Sequence, residues 1–369
     1  MKIDFRPIIL AGGSGTRFWP RSRKARAKQV LALDGERTMI QRTVDRLRPL
    51  AQHQDFWVIT NSLLSETIFG QLDAVPASQI VCEPAARNTA PAAGLAAFLM
   101  ERLAPDAVLG MFPSDHVIAD EPAFLSVIER AAELAAAGEN IVVLGVQPTR
   151  PETGYGYIET GEVFSEGVLR VRRFTEKPNR ERAEEFVAAG NYHWNSGIFV
   201  WSARTLANAV REHLPEMAPL LEAIAAAYGT PDFERVFAEL YPKCENISVD
   251  YAILEPRSAK GEHRSNLYCI PSQFGWNDLG SWAALYEHQV EQHTNTDAYS
   301  NVNESTGSAA LDAHGNYVYS PKKFVALVGV RDLVVVETDD ARLVTTREHS
   351  QDVGKVVKEL ISRGQTDLI

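Results

Sequence analysis

Short apolar runs alternate with helix-like segments through the first two-thirds of the chain. The runs are residues 7–10, 56–60, 79–82, 107–111 and 141–145. Between them, residues 39–47, 91–103 and 122–137 space their apolar positions as amphipathic helices do. Strands alternating with helices predict an α/β layered fold with a mostly parallel sheet. The pattern continues with strands expected at 168–174 and 197–201, and helices at 204–212, 217–228 and from 282 to about 292. Residues 293–308 are polar and turn-rich and predict a linker. Beyond them come short β-like stretches at 317–319, 324–328, 333–337 and 342–345, then a closing helix over 351–361. Such stepped strands predict coils of a small β-helix or a small β-domain. The expected division is therefore 1–292 and 293–369.

Composition narrows the function. With 369 residues, 45% of them hydrophobic, the chain can bury a large core. A net charge of −11 disfavours nucleic-acid binding. The three cysteines, Cys82, Cys244 and Cys269, have neither metal-ligand spacing nor an even count, so a reduced, cytoplasmic setting is expected. No apolar run is long enough to span a bilayer, and no secretory h-region is visible, so no membrane association is expected.

Against that acidic background, one segment is basic. The run at 7–10 ends at Ala11-Gly12-Gly13-Ser14-Gly15-Thr16, and Arg17 follows at once, with five more basic residues by Lys28. Glycine amides can cradle phosphate oxygens, and arginine and lysine neutralise their charge. The loop is not a Walker loop, because no lysine follows Gly15. Nor is it the dinucleotide fingerprint, because Phe18 stands at the third glycine position. A plain glycine turn would explain two glycines. Adding Arg17 and Lys28 points to a nucleotide phosphate grip.

Gly12-Gly13-Ser14-Gly15-Thr16-Arg17, followed by Trp19-Pro20, Ser22-Arg23 and Lys28-Gln29, resembles the opening of the sugar-nucleotide pyrophosphorylases. The string Phe18-Trp19-Pro20-Arg21-Ser22-Arg23 resembles specifically that of the mannose-1-phosphate guanylyltransferases. One departure is Ala27, where the family has proline before the lysine. Proline would stiffen the approach to Lys28.

Other strings carry chemistry of their own. Phe112-Pro113-Ser114-Asp115-His116 follows an expected strand, and an aspartate there either caps a turn or holds a hard divalent cation. His116 would orient the aspartate or cap a turn. Phe274-Gly275-Trp276-Asn277-Asp278-Leu279-Gly280-Ser281-Trp282 sets an acidic residue on a tip flanked by tryptophans, with Ser281 or Asn277 as a helix cap. Glu176-Lys177-Pro178 ends a strand and gives an oriented point charge or an ordinary surface lysine. Residues 153–159 are glycine-rich and aromatic, and Asn195 offers both a donor and an acceptor. In residues 83–91, Asn88 or Thr89 would cap the helix beginning near Pro91. Residues 248–255 read as a capped helix start with a supporting role.

These strings resemble the family's, in the family's order, over residues 8–346. The resemblance implies a Rossmann-like nucleotidyltransferase (GT-A-like) fold with flanking helices and a β-helix-like C-terminal domain that assists assembly. It implies that GTP and mannose 1-phosphate yield GDP-mannose and pyrophosphate. Arg17, Lys28, Asp115 and Asp278 would be catalytic, with Mg²⁺ on Asp115 and Asp278. The nucleotide would be contacted by Gly12, Gly13, Gly15, Thr16, Arg17, Lys28, Glu83, Asn88 and Ser114. The sugar phosphate would be contacted by Gly154, Glu159, Lys177 and Asn195. A homodimer is expected. The length predicts no added isomerase domain and hence no phosphomannose isomerase activity. A sister enzyme using another base or sugar stays open. So does a non-catalytic subunit sensing GDP-mannose, although such a subunit would be expected to lose the phosphate-gripping or metal residues.

Overall fold

The structure is a computed structural model that describes residues 3–13 and 15–369; Ser14 of the glycine loop lies outside the described residues. In chain order, the first elements are β1 (Phe5–Leu10), α1 (Met39–Leu47), β2 (Trp57–Asn61), α2 (Ser65–Gln71), β3 (Ile80–Glu83) and α3 (Thr89–Leu103). Next come β4 (Val108–Pro113), β5 (Val117–Ile118), α4 (Glu121–Ala136), β6 (Ile141–Val146), β7 (Tyr157–Ser165), β8 (Val168–Thr175) and α5 (Arg180–Ala189). They are followed by β9 (Tyr192–Ser202), α6 (Ala203–His213), α7 (Ala218–Ala227), α8 (Phe233–Leu240), α9 (Glu255–Ser258), β10 (Leu267–Ser272), β11 (Trp276–Asn277) and α10 (Trp282–Glu291). The chain closes with β12 (Val302–Leu311), β13 (Tyr317–Val328), β14 (Leu333–Glu337), β15 (Arg342–Thr346) and α11 (Val353–Ser362).

A nine-stranded mixed sheet has the order β3-β2-β1-β4-β9-β6-β10-β8-β7. Strands β3, β2, β1 and β4 run parallel, while β9 is antiparallel to both β4 and β6. The chain winds outward from β1 to β3, then crosses back to place β4 on β1's other side. That reversal is a switch point, and a crevice opens beyond the carboxyl ends of β1 and β4. Leu10 pairs with Pro113 there, so the glycine loop and the Asp115 segment leave the sheet side by side.

Apolar cores cover both faces. Ile8, Leu109 and Met111 pack with α3, α6 and α7 on one face; Ile9, Val108 and Phe112 pack with α1 and α4 on the other. Helix α3 is buried almost throughout and so lacks a polar face, which is why its pattern is only weakly amphipathic.

The C-terminal strands form a separate sheet, β12-β13-β14-β15. Its first three strands are parallel, as stacked coils require. Asn301 and Asn316, fifteen residues apart, form a ladder beneath the coils: Asn316 donates to Asn301 Oδ1, and Leu333 N–H donates to Asn316 Oδ1. Two expectations need correcting. The expected linker is strand β12 from Val302 onward, and the stretches at 317–319 and 324–328 are one strand, β13. A register shift between Ser305 and Gly307 absorbs the polar residues that seemed to divide β13. A third core joins this sheet and α11 to Phe18, Trp19, Trp282 and Leu285.

Candidate active site

A cavity of about 580 Å³ lies at the switch point. Gly12 and Gly13 line it beside β1, Glu83 and Asn88 beyond β3, and His116 and Asp278 over the middle. Gly154, Glu176, Lys177, Asn195 and Asp250 line the far end.

The glycine loop is held from behind. Gln29 Nε2 donates to the carbonyls of Ala11 (3.0 Å) and Gly13 (2.9 Å), and Thr60 Oγ1 donates to Ala11 O. Those carbonyls would otherwise repel an anion. Gly15 has φ +57°, and a Cβ there would lie 2.7 Å from both the backbone N and Cβ of Lys28. Glycine is therefore required at 15, and its contact sets the path of Lys28. Ala27, at φ −70° and ψ 168°, already holds a dihedral suited to proline, so Lys28 keeps its approach without the ring.

Lys28 is buried at 5% exposure, and its Nζ lies 2.9 Å from Asp115 Oδ2. It also donates to the backbone carbonyl of Asp278. The two acidic segments, far apart in sequence, meet because β5 pairs antiparallel with β11: Val117 faces Asn277 and Ile118 faces Trp276. Further bonds lock the Asp278 tip. Asn277 Oδ1 accepts from Leu279 N–H, and Ser281 caps α10 by accepting from Ala284 N–H. Trp282 donates to Trp19 O, and its ring lies 4.9 Å from that of Phe18. Leu279 sits at φ +40° with its side chain fully buried. Asp278 Oδ1 accepts from Tyr155 OH at 2.7 Å.

Burial pushes the Asp115 carboxyl up, but Lys28 and His116 outweigh it and hold it below the ordinary carboxylate value. His116 is desolvated, which lowers its own value below that of a free imidazole. Its Nδ1 accepts from Trp276 Nε1 at 3.1 Å, which leaves Nε2 facing Asp115 at 4.0 Å. His116 thus lies beside the aspartate without hydrogen-bonding to it.

At the far end, Lys177 occupies a left-handed backbone conformation at φ +44°, between strand β8 and Pro178. That conformation costs about 1–2 kcal/mol in an L residue and fixes where the ammonium points. Its Nζ lies 2.6 Å from Glu176 Oε1. Burial opposes the charge of Lys177, yet Glu176 raises it above the ordinary lysine value. Glu176 Oε2 is buried at the cavity wall without a hydrogen-bond partner among the described residues. Asn195 Nδ2 donates to Asp250 Oδ1 (2.9 Å), and its Oδ1 accepts from Gly197 N–H. Burial, then the Glu176 carboxylate, raises Asp250 well above its ordinary value. At the β3 end, burial lifts Glu83 to about 7, and Tyr241 OH donates to it. Asn88 Oδ1 accepts from Thr89 N–H and caps α3, as its sequence position suggested.

Of the expected site residues, Gly12, Gly13, Glu83, Asn88, Gly154, Lys177, Asn195 and Asp278 line the cavity, whereas Gly15, Lys28 and Asp115 stand behind its lining. Arg17 and Thr16 lie just outside the cavity on a short turn, and Arg17 Nη1 approaches the Gly280 side of the Asp278 tip. Ser114 is buried, with its N–H donated to Leu10 O, and does not line the cavity. Glu159 does not line it either: its carboxylate lies 3.6 Å from Arg172. Pairing of β7 with β8 and β9 carries it past the cavity. Glu176 takes the acidic position at that end. Sequence reasoning missed Tyr155, Glu176 and Asp250. The available signal for Asp250 was an acid set among apolar residues, Val249 before it and Ala252-Ile253-Leu254 after it.

A glycine loop thus lies at a switch point, with Lys28 joining the Asp115 carboxylate to the Asp278 backbone beside it and Lys177 at the far end of the same cavity. The chain belongs to the nucleotidyl transferase family, whose pattern it matches over residues 6–295. Residues 308–360 match a MannoseP isomerase/GMP-like beta-helix domain. A putative mannose-1-phosphate guanylyltransferase of Vibrio cholerae is 40% identical over 98% of this chain and 76% of its own length. A mannose-1-phosphate guanylyltransferase of Salmonella muenchen is 36% identical over 98% of this chain and 74% of its own. A crystal structure from Thermus thermophilus, described as a mannose-1-phosphate geranyltransferase, superposes with a TM-score of 0.84 at 32% identity, covering 97% of this chain and 99% of that one. Among the described residues, no helix is long and apolar enough to cross a membrane.

Proposed function

We propose that the chain joins GTP and α-D-mannose 1-phosphate to give GDP-mannose and pyrophosphate. An ionised oxygen of the sugar phosphate attacks the α-phosphorus. The bond from that phosphorus to the bridging oxygen breaks, and pyrophosphate leaves with the electron pair. No protein nucleophile is needed, because positioning and charge neutralisation supply the catalysis. Gly12 and Gly13 cradle the triphosphate, while Arg17 and Lys28 neutralise the departing charge. Lys177 holds the attacking phosphate, and Asn195 and Gly154 flank the sugar. Glu83 accepts the N1–H and N2–H₂ of guanine.

The donors fit a divalent cation, Mg²⁺ by preference. Asp115 and Asp278 offer oxygen alone, the donor such a cation takes from one or two carboxylates together with phosphate oxygens. A bound cation would offset charge at the α-phosphate.

The observation that carries this reading is Lys28, which ties the phosphate loop to both acidic segments. Pyrophosphate release from GTP with mannose 1-phosphate and Mg²⁺ tests it. Release dependent on both substrates is expected, and binding of GTP without release overturns it. Other nucleotides and sugar phosphates in the same assay separate it from a sister specificity.

The division near residue 293 and the assembly role of the C-terminal sheet belong to the same reading. Leu311, Phe324 and Val328 are exposed at 64%, 65% and 64% where β12 and β13 pair, which supports a second copy packing there. A wild-type dimer in sedimentation, dissociated by Phe324→Glu, is the expected result.

A further inference from the structure

The C-terminal part of the chain reaches the phosphate grip. Helix α11 packs on the turn that carries Arg17, with Gly354 placed so that a Cβ would lie 3.5 Å from Thr16 Oγ1 and 3.7 Å from Arg17 Cγ. Trp19 Nε1 donates to Leu368 O at 2.8 Å, and Val353 and Val357 share a core with Phe18 and Trp19. In the short turn before α11, Gln351 Oε1 accepts from Arg17 Nη1 at 3.0 Å. Arg17 Nη1 is also the atom that approaches the Asp278–Gly280 tip. Gln351 therefore holds one corner of the guanidinium beside the acidic tip. A guanidinium has five N–H donors in a fixed fork, so securing one corner orients the others without spending them. Glutamine is the suitable partner: it accepts a hydrogen bond but carries no charge that would compete with a phosphate.

We propose that Gln351 is a positioning residue for Arg17, so that the C-terminal module completes the triphosphate grip at the mouth of the cleft. The proposal rests on the reading of Arg17 as a triphosphate contact. It makes the C-terminal sheet more than an assembly surface, because displacing α11 frees the guanidinium to swing. Lys177, which holds the sugar phosphate at the other end, makes no contact with this segment.

The test compares Gln351→Ala with wild type, with Lys355→Ala on the exposed side of α11 as a control. Gln351→Ala should raise KM for GTP and the inhibition constant of pyrophosphate about fivefold to tenfold, the worth of one ordinary hydrogen bond, since this one is solvent-exposed. KM for mannose 1-phosphate and the melting temperature should not move, and Lys355→Ala should match wild type. Gln351→Glu, which keeps the acceptor but adds charge, should weaken GTP at least as much. Unchanged KM for GTP in Gln351→Ala overturns the proposal. So does a parallel rise for both substrates, which marks a general structural role, or an equal effect from Lys355→Ala. A fall in KM for GTP also overturns it, since Gln351 would then be competing with phosphate. If the wild type releases no pyrophosphate, the reaction assigned above has failed instead. Calorimetric binding of pyrophosphate to wild type and Gln351→Ala then decides the Gln351 question: about fivefold weaker binding upholds it, and equal binding overturns it.

Discussion

The acids at the two ends of the cleft have been put to opposite uses. At the phosphate end, Asp115 sits against the Lys28 ammonium and stays ionised below its ordinary range. At the β3 end Glu83 is buried beside the Tyr241 hydroxyl, and at the far end Asp250 lies beside the Asn195 amide and the Glu176 carboxylate, and their affinity for protons rises. The difference follows from a cation beside Asp115, against desolvation at Glu83 and desolvation plus the like charge of Glu176 at Asp250. Fixed negative charge suits cation binding and phosphate chemistry. A carboxyl near its titration point suits hydrogen bonding to hydroxyls and amides. On the proposed reading, the cleft separates charge chemistry from recognition.

The largest test removes charge at the phosphate end alone. Asp278→Asn keeps an oxygen for Tyr155 OH and leaves the bonds of Asn277, Ser281 and Trp282 intact. Folding should be near normal in thermal melts, while turnover should drop by about a thousandfold, the scale of several kcal/mol lost from charge stabilisation. Unchanged turnover would remove Asp278 from the charged end and erase the contrast.

How much of this contrast is legible in the sequence varies along the cleft. The end beside the glycine loop is written in recognisable strings: Gly15 and Lys28 lie in one basic segment, and the Trp276–Trp282 run carries its own local bonds. What no string shows is that β5 pairs with β11, and this pairing is what joins Asp115 to Asp278. The sugar end is less legible. Glu159 belongs to a suggestive glycine-aromatic segment, but β-pairing turns it toward Arg172. Asp250 reads as helix support because its apolar neighbours read as core, and its place at the cavity wall emerges only once Asn195 and Glu176 stand beside it. In the fold, strands with uniform apolar runs match their predicted positions to within a few residues. Strands β7 and β10 escape prediction, β7 because glycines precede it and polar residues occupy it. Helices α5 and α8 also go unassigned, since α5 buries only Ala183 and Phe186 and α8 only Phe237.

A second test sharpens the sugar end. A Cβ at Gly156 would collide with Glu176 Oε2 and stand 3.3 Å from Asn195 Cβ and from the Phe174 ring. Gly156→Ala must therefore displace the acid and the amide together. KM for mannose 1-phosphate should rise about thirtyfold, in the range of 1–3 kcal/mol for overpacking, with KM for GTP little changed. At Gly154 a Cβ would meet only the tip of Glu152 at 3.3 Å, so Gly154→Ala should shift the same constant about twofold or less. Equal effects from the two substitutions, or a matching loss of GTP affinity, would mean the far end does not hold the sugar.

The smallest effect concerns protons at the base end, and it runs in two directions at once. Glu83 titrates near 7 in the folded chain, above the ordinary glutamate value of 4.5. Between those values the folded state binds the proton more tightly than the unfolded one, so stability increases as pH falls from about 7 toward 4.5. Above 7 the burial penalty of the ionised carboxylate is fully present. Going from pH 8 to pH 6 should stabilise the fold through Glu83 by about 1 kcal/mol. Guanine binding goes the other way, because only the ionised carboxylate accepts from both N1–H and N2–H₂. Over the same interval the ionised fraction falls about tenfold, and KM for GTP should rise by about that factor. Glu83→Gln should flatten both profiles, read as melting temperature and as KM for GTP at the two pH values. Comparing each profile with that variant isolates Glu83 from Asp250, whose raised affinity for protons adds stability of the same sign. A GTP profile that stays steep in Glu83→Gln would move the titration to another group and leave the base end without its acid.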